Sequence, residues 1–569
     1  MKSNKNIKSW ILTNIKFITI VFAISLFACK PYLNNVLLYA HDIGYHLNRI
    51  TEISEALNLG NFPVVIHSNL VNSLGYANSI FYPDLFLYLP AILMYKLGIS
   101  AINSYKVFLV ITTFFTFVSM YLSAKGIFKK KEVAWISSIL YVFSLYRFTD
   151  IYVRGAVGEV LSFVFFPLIF WGLYEIILGE NKKWWIISFG LWGIANSHML
   201  SFVITLPVII LICLLNIDKI FKNKKIFINL AKAAIISIIL CIGFFGPMLE
   251  QKINDKFKID GEFIINDDRL EKRATSVVEA LGSTIKAGDS VDAKERTDGL
   301  SQGIGAVLLI ISGLIFFRKG ITYKENRFEI QMYVIGILVY IFSTSLMPWE
   351  KFSILSIIQF PFRLNIIPTV CLCFVSAISF YDIVKEKEDM SIILCIVLII
   401  FAGYSLDTID VNVKKQEVIE YEDLVDYIGG EIGLGEYLPQ NTDINDVQLY
   451  NINDKSNFII FEKEGSKITF EYARDDIEMK INIPFIYYKG YKAWIEDETG
   501  IKTNLIVQKG ENGHVLVTGD NSLKGKITVE YKHTLIQIIC YTLSTITFFV
   551  LVIYIVIIYV KDKKTILNN

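Results

Sequence analysis

The chain has 569 residues, of which 53% are hydrophobic, and its mean hydropathy is +0.48. The formal net charge is +1, and lysine and arginine occur in short clusters rather than in one stripe, which argues against a nucleic-acid-binding protein. Many apolar runs approach the roughly 20 residues that cross a bilayer, so the sequence predicts a polytopic α-helical membrane protein.

The first apolar run, residues 17–28, follows several lysines and is predicted to be an uncleaved membrane anchor. A signal peptide would have the same basic start, and the residues before Cys29 are similar to a lipoprotein cleavage site. The bulky Phe27 fits such a site poorly, and the apolar character continues to Tyr39. These two features favour the anchor.

Short basic clusters at 129–131, 182–183, 222–225, 318–319, 385–387 and 561–564 divide the rest of the chain into further spans. The positive-inside rule makes each cluster cytoplasmic. With the anchor, the sequence then predicts about twelve spans and two cytoplasmic termini. The other predicted spans are residues 105–123, 133–148, 160–178, 184–195, 200–215, 226–248, 303–317, 330–346, 365–383, 391–404 and 535–560.

This count leaves no crossing for the apolar residues 81–97, which are expected to form a juxtamembrane or re-entrant helix. If the positive-inside rule fails once, they cross instead. The polar regions 41–78, 146–159, 251–302, 348–363 and 407–533 are then predicted on the outer face.

Residues 407–533 are predicted to form an extracytoplasmic β-sandwich-like domain. Apolar and polar residues alternate in 467–472, 479–483, 513–517 and 526–531, and turn residues lie at 510–513 and 519–521. The aromatic residues within 487–494 either stack on sugar rings or pack inward, and inward packing is favoured. The expected domains are therefore a multispan part at 1–406 with its first outer loop at 41–104, the β-rich part, and a final span with a basic tail at 534–569.

The leading candidate for chemistry is Asp42, just after the first apolar helix. On a helix, Asp42, Tyr45, His46 and Arg49 share one face, and His41 lies beside them. Asp42 is placed to take a proton from an acceptor hydroxyl, and Arg49 to pair with a phosphate. The alternative is a helix N-cap, and the two roles are compatible.

A second candidate group is Asp150, Arg154 and Glu159, at the predicted outer mouth of a span. Charges at this depth require partners or a function, and a structural Arg154–Glu159 ion pair is as well supported as a site role. Asp150 and Glu159 are also a weak candidate for a divalent cation. The seven cysteines include no CxxC pair and lie in or beside apolar segments, so neither a disulfide framework nor a cysteine zinc site is expected.

His198 and Arg363 complete the predicted outer site. His198 is a candidate hydrogen-bond partner for a phosphate or sugar, and satisfaction by neighbouring helices is the slightly favoured alternative. Arg363 begins a span, where a planar guanidinium suits a lipid phosphate, and snorkelling to headgroups is its alternative.

Several blocks resemble YfhO-like bacterial membrane proteins. They are the segments 41–49, 60–64 and 80–88, Arg154-Gly-Ala-Val-Gly-Glu159, Ser197-His198, Phe360-Pro-Phe-Arg363 and residues 487–493. This resemblance implies a GT-C-like fold, the glycosyltransferase class that uses polyprenyl-phosphate sugars at the outer face. It also implies that Asp42 is the first-loop acidic residue and Asp150 or Glu159 the second-loop one, although no double-acid motif is present.

The sequence and the resemblance together predict sugar transfer from a polyprenyl-phosphate donor to an envelope glycan or teichoic-acid acceptor. Asp42 acts as the base, and Arg363 with Arg154 holds the phosphate. The rival expectation is a non-catalytic transporter of lipid-linked glycans or an assembly partner. Polar groups collected at one face, without an apparent inverted repeat, argue against a transporter.

Overall fold

The computed structural model describes residues 2–33, 37–261, 303–387, 389–413, 435–442, 459–472, 479–520 and 522–568, with short pieces at 270, 274–281, 284–285, 299–300, 418–419 and 433. Its contacts group the chain into two compact units. The first is Met1–Ile43, Ile102–Ser237 and Ile265–Glu422; the second is Gly44–Ala101, Ile238–Ile264 and Asp423–Asn569. Much of the predicted polar region 251–302, the turn residue 521 and residues 420–432 and 443–458 of the predicted β-rich region lie outside the described residues.

The first unit is mainly helical. Two pairs of two-residue strands are also present, Leu37–Leu38 with Val418–Ile419 and Thr284–Ile285 with Gly299–Leu300. The helices of this unit, including two that continue from or into the second unit, are Lys2–Ala28, Ala101–Phe128, Lys131–Val142, Leu145–Tyr152, Val157–Ile177, Trp185–Ala195, Met199–Leu215, Ile217–Lys222, Lys224–Asn254, Val277–Leu281, Ala306–Ser312, Arg327–Phe342, Ile366–Val384 and Met390–Val413, with 3-10 turns at Lys30–Tyr32, Gly313–Phe317, Trp349–Lys351, Ser353–Ile358 and Pro361–Asn365.

Six helices within the described ranges are long and apolar enough to cross a membrane, so the predicted count of about twelve is not confirmed. Several predicted spans are helices of 11 to 17 residues, which extend only about 17–26 Å against a hydrocarbon core of about 30 Å. A window of apolar residues does not reveal where a helix ends. The six are Ala101–Phe128, Val157–Ile177, Lys224–Asn254, Pro361–Val384, Met390–Asp407 and Leu535–Ile558.

The predicted span at 133–148 is divided into the helices Lys131–Val142 and Leu145–Tyr152. Between them Ser144 has extended backbone, and its hydroxyl donates to a carbonyl oxygen of the preceding turn at 2.8 Å. The second helix carries Arg147 and Asp150, both buried. Buried charges need protein partners, and this requirement overrides the apolar length that suggested one span.

Among the described residues of the second unit, seven strands form one antiparallel sheet. The expectation of a two-layered sandwich is therefore corrected: the sheet is curled, and side chains of its strands share one core. Alternating residues reveal strands but not how a sheet curves. In order across the sheet the strands are Ile459–Glu464, Lys467–Tyr472, Gly525–Tyr531, Tyr491–Glu496, Lys502–Lys509, His514–Gly519 and Met479–Ile486; the helices of this unit are Ile43–Asn58, Leu70–Ser73, Asn78–Phe81, Tyr88–Leu97 and Leu535–Asn568, with 3-10 turns at Leu85–Leu87 and Lys258–Asp260.

The four predicted strands and the turn at 510–513 are confirmed. Gly513 has a φ of +77°, which glycine adopts without strain. Tyr488 and Tyr491 are buried in the apolar cores of this unit, so these aromatic side chains pack inward, as the favoured alternative held. Trp494 keeps partial exposure, with Lys532 Nζ 4.8 Å from its ring centre.

Candidate active site

The loop between residues 152 and 157 brings the backbone of His41 and Asp42 against Arg154. The Asp42 N–H donates to the Arg154 carbonyl oxygen at 2.8 Å, and the His41 N–H donates to the Val153 carbonyl oxygen at 3.1 Å. Gly155 has a φ of +61°, and a Cβ at this position would lie 3.1 Å from the Ile43 nitrogen. Glycine therefore allows both the left-handed backbone and the close approach of the two segments.

Glu159 is the centre of the charged cluster. Arg154 binds it bidentately, with Nη1–Oε2 at 2.8 Å and Nη2–Oε1 at 2.9 Å. Arg363 Nε donates to Oε1 at 2.8 Å, and the Tyr146 hydroxyl donates to Oε2 at 3.0 Å. Because each carboxylate oxygen already accepts two hydrogen bonds, Glu159 is suited to position the two guanidiniums rather than to accept a substrate proton.

Asp150 contacts the same guanidinium. Its Oδ1 accepts from Arg154 Nη1 at 2.5 Å, whereas Oδ2 is buried and has no hydrogen-bond partner among the described residues. Burial raises the pKa of Asp150, the field of Glu159 raises it further, and Arg154 opposes both. Burial thus favours the neutral form of this carboxyl group.

Arg363 is held where the 3-10 turn Pro361–Asn365 leads into a span-length helix. Nη1 donates to the Ile358 carbonyl oxygen at 3.1 Å and to Gln359 Oε1 at 2.6 Å, and the Phe360 ring centre lies 4.7 Å from Cζ. Nη2 has no hydrogen-bond partner among the residues described here. The guanidinium is fixed by these contacts through Nε and Nη1.

Asp42 is the carboxylate of the cluster that neither guanidinium binds directly. The residue precedes the helix Ile43–Asn58 and is partly exposed, although its carboxyl group is largely enclosed by the protein. Within the described part of the chain its carboxylate makes no hydrogen bond or ion pair. Burial raises the pKa of Asp42, and Arg154 and Arg363 act in the opposite direction. A carboxylate with a raised pKa, close to two cations and not bound to either, is the kind of group that general base catalysis uses.

His198 is the N-cap residue of the helix Met199–Leu215. Its Nδ1 accepts from the Ser201 backbone N–H at 3.2 Å and lies 2.9 Å from the Ser201 hydroxyl. In the neutral ring this arrangement places the proton on Nε2. This satisfaction by neighbours is the alternative that the sequence favoured, and a role of His198 in binding a phosphate or sugar stays a prediction.

Asp150 and Glu159 do not form a suitable pair of ligands for a divalent cation. The Arg154 guanidinium lies between them and binds both. A metal ion would have to replace this cation and find further oxygen ligands. Within the described residues, no group of three or more histidine, cysteine, aspartate or glutamate side chains could hold a metal ion.

His46 and Arg49 belong to the second unit, where they lie on one helical face as their spacing predicted. Arg49 Nη1 is 3.2 Å from His46 Nδ1, and Nη2 donates to the carbonyl oxygens of Tyr82 and Pro83 at 3.2 and 2.7 Å. The Tyr82 ring centre lies 4.3 Å from the Arg49 Cζ. These contacts fix the beginning of the helix Ile43–Asn58 to the segment at Tyr82 and Pro83, and a role of either residue in substrate binding stays a proposal.

Sequence reasoning missed the supporting side chains. Tyr146 was not singled out, although it lies four residues before Asp150 on the same helical face. Gln359 and Phe360 directly precede the 3-10 turn Pro361–Asn365 that carries Arg363. Their contacts with its guanidinium depend on the backbone conformation of this turn, which the sequence does not reveal. Arg147, whose buried Nη2 donates to Thr113 Oγ1 at 2.7 Å, carried no signal beyond its charge within an apolar run.

Three of the basic clusters predicted to be cytoplasmic meet at the other end of the first unit. Arg318 Nη2 lies 2.5 Å from Asp382 Oδ2, and Lys130 and Lys385 lie 3.3 Å from Oδ1. Arg363 lies just before the helix Ile366–Val384 and Asp382 lies in its last turn, so 19 positions, about 28 Å along the helical segment, separate them. This distance matches the hydrocarbon thickness of about 30 Å and places the two charged clusters at opposite ends of a span.

No family model matches the chain. An uncharacterized protein from Lactococcus lactis subsp. cremoris is 24% identical over 260 residues, which are 44% of this chain and 42% of that protein. Among solved structures, the cryo-EM structure of arabinofuranosyltransferase AftD from mycobacteria has a TM-score of 0.45 at 14% identity. Two classes of an AftD mutant have TM-scores of 0.42 at 14% and 13% identity.

These matches cover only part of the similar proteins. The AftD alignments include 69% of this chain but only 27–28% of AftD, so the chain spans about a quarter of that length. It spans less than half of the Lactococcus protein. Function therefore has to be argued from the residues of the site.

Proposed function

We propose that this chain is a membrane glycosyltransferase of the GT-C class that moves a sugar from a polyprenyl-phosphate donor to a hydroxyl of an envelope glycan or teichoic acid. The observation that carries the proposal is the Asp42 carboxylate, which has no ion pair among the described residues and lies in the electrostatic field of Arg154 and Arg363, two guanidiniums that Glu159 holds together. A base next to a fixed site for an anion is what transfer from a sugar phosphate requires.

In the proposed reaction, Asp42 takes the proton of the acceptor hydroxyl as its oxygen bonds to the anomeric carbon. The bond from that carbon to the phosphate oxygen breaks, and its electron pair leaves with the polyprenyl phosphate. Negative charge then grows on the phosphate, where Arg363 Nη2 and the Arg154 guanidinium stabilise it. General base action by Asp42 supplies about 10²- to 10⁴-fold of the rate.

The YfhO-like blocks support the proposal because the cluster is built from them. Arg154 and Glu159 are the ends of one block, and Arg363 ends another. The helix that follows Arg363 has the length of a membrane span, which suits a donor whose phosphate lies at the bilayer surface. An outer-face site in a bacterial plasma membrane, with cytoplasmic termini, is part of the same proposal. The predicted domain boundaries at residues 406 and 533 also belong to this proposal.

The test is Asp42→Asn, assayed for transfer from a polyprenyl-phosphate sugar in reconstituted vesicles. The amide keeps the size of the side chain and can still cap a helix, but it cannot act as a base. We expect transfer to fall at least about 100-fold, the lower bound of general base action, with thermal stability and membrane insertion unchanged.

Asp389→Asn is the matched control, because Asp389 also directly precedes a long helix, Met390–Val413. It should transfer sugar as the unmodified protein does. Near-normal transfer by a stable Asp42→Asn protein would remove Asp42 as the base. That result would favour the alternative of a transporter or assembly partner for lipid-linked glycans.

A further inference from the structure

The short helix Tyr88–Leu97 in the second unit has an apolar outer face. Leu85, Leu89 and Ile92 follow one another at spacings of four and three residues, so they lie on one side of the turn and helix. Their side chains are 43%, 39% and 45% exposed. The opposite side is apolar too, with Leu87 and Ala91 buried.

Phe62 extends this surface. It is 71% exposed, and its ring meets that of Tyr88 edge-on at 5.6 Å between centres. The Tyr88 hydroxyl accepts the backbone N–H of Val64 at 2.7 Å, which fixes the loop carrying Phe62 to the helix. Phe62, Leu85, Leu89 and Ile92 therefore form one apolar surface, whose parts are fixed to each other by the contacts of Tyr88.

The position of this helix in the chain identifies what covers the surface. Only Gly98, Ile99 and Ser100 separate it from the helix Ala101–Phe128, which is long and apolar enough to cross a membrane. Ten residues extend about 15 Å, half of the hydrocarbon core, so the helix cannot cross by itself. A helix that is apolar on both faces needs lipid where protein does not cover it.

We propose that the surface formed by Phe62, Leu85, Leu89 and Ile92 is inserted among the acyl chains of the leaflet in which the helix Ala101–Phe128 begins. Lys96, exposed near the end of the short helix and 4.0 Å from the Tyr95 ring centre, then lies at the headgroups. The lipid bilayer is the one occupant. This inference does not rest on the proposed sugar transfer.

The test uses the unmodified protein in vesicles of phosphatidylethanolamine and phosphatidylglycerol that include a phospholipid with a diazirine on its acyl chain. After irradiation, digestion and mass spectrometry give the labelling of residues 85–97. The span Leu535–Ile558 is the positive reference. Residues 501–509 of the sheet are the negative reference, since Ile501 and Ile506 are also exposed isoleucines, at 63% and 65%, and the sheet is expected to lie in water.

We expect residues 85–97 to be labelled several-fold more than residues 501–509 and to a level near that of the span. In a parallel sample, hydroxyl radicals in the water should modify residues 501–509 and spare 85–97. Lipid labelling no greater than that of 501–509 would overturn the proposal. Radical modification would then indicate a water-facing surface, and protection from both reagents would indicate a protein partner or a second copy of the chain.

Discussion

Glu159→Gln tests whether Glu159 positions the two arginines. The amide keeps the shape of the side chain but replaces one accepting oxygen by a donor, which then faces N–H groups of Arg154 or the Tyr146 hydroxyl. Removing one partner of a buried ion pair costs about 3–5 kcal/mol. Without the charge of Glu159, which raises the pKa of Asp150, Asp150 can ionise 2.5 Å from Arg154 and replace the lost partner, so we expect the lower end, a free energy of unfolding reduced by about 3 kcal/mol.

The same helix provides a matched control in Glu175. It is 3% exposed and Glu159 is 2% exposed, but Glu175 accepts one hydrogen bond, from Trp171 Nε1 at 3.2 Å. Its ion pair is to Lys129 Nζ at 3.7 Å, and the lysine side chain is 63% exposed. Exposed pairs contribute up to about 1 kcal/mol, so Glu175→Gln should reduce the free energy of unfolding by less than that.

The assay is reversible unfolding of both variants in mixed micelles, with denaturing detergent as the variable and tryptophan fluorescence as the signal. We expect the two losses to differ by about 2 kcal/mol, which is roughly a 30-fold difference in the unfolding equilibrium constant. Equal losses would refute the central position of Glu159. A Glu159→Gln protein as stable as the unmodified chain would refute the ion pairs themselves.

Three further predictions concern the donor, the base and the topology. Arg363→Lys should weaken donor binding although the charge is kept, because one ammonium group cannot replace Nε, Nη1 and Nη2. The control is Arg318→Lys, in the cluster around Asp382, which should leave donor affinity unchanged. Equal donor affinities in the two variants would exclude Arg363 from the site. Burial raises the pKa of Asp42 above 3.8, and the ionised form of Asp42 is the base. The transfer rate should therefore decline on acidification at pH values where an exposed aspartate is still ionised, and a transfer rate that does not change down to pH 4 would contradict this. A single cysteine at Ser466, on the partly exposed turn after the strand Ile459–Glu464, should react from outside intact cells, and reaction only after permeabilisation would place the sheet inside.

The sequence predicted what depends on neighbouring residues. Arg154 and Glu159 pair across five positions because short-range ion pairing depends on local spacing, and the amphipathic helix after Asp42 follows from its periodicity. The strands Lys467–Tyr472 and Gly525–Tyr531 follow from alternation, and the two form neighbours in the sheet.

Contacts between distant residues could not be predicted in the same way. Arg363 and Glu159 are 204 positions apart, and nothing in either block indicates that one carboxylate binds both arginines. The breaks that shorten several expected spans depend on polar side chains that find partners within the fold, as at Ser144 and Arg147. Hydropathy includes neither kind of information, so the span count and the geometry of the site required the structure.

The hydrogen bonds of Glu159 also bear on how the proposed transfer could turn over. Two unpaired guanidiniums would bind a polyprenyl phosphate tightly before and after reaction, and such uniform binding does not raise the rate of the chemical step. With Glu159 bound to both, the positive field is partly neutralised and the arginines are already oriented. Their stabilisation then matters most when the leaving phosphate gains charge, and the phosphate product is held less firmly afterwards. On this reasoning Glu159 contributes to transfer through Arg154 and Arg363, without contact with the sugar.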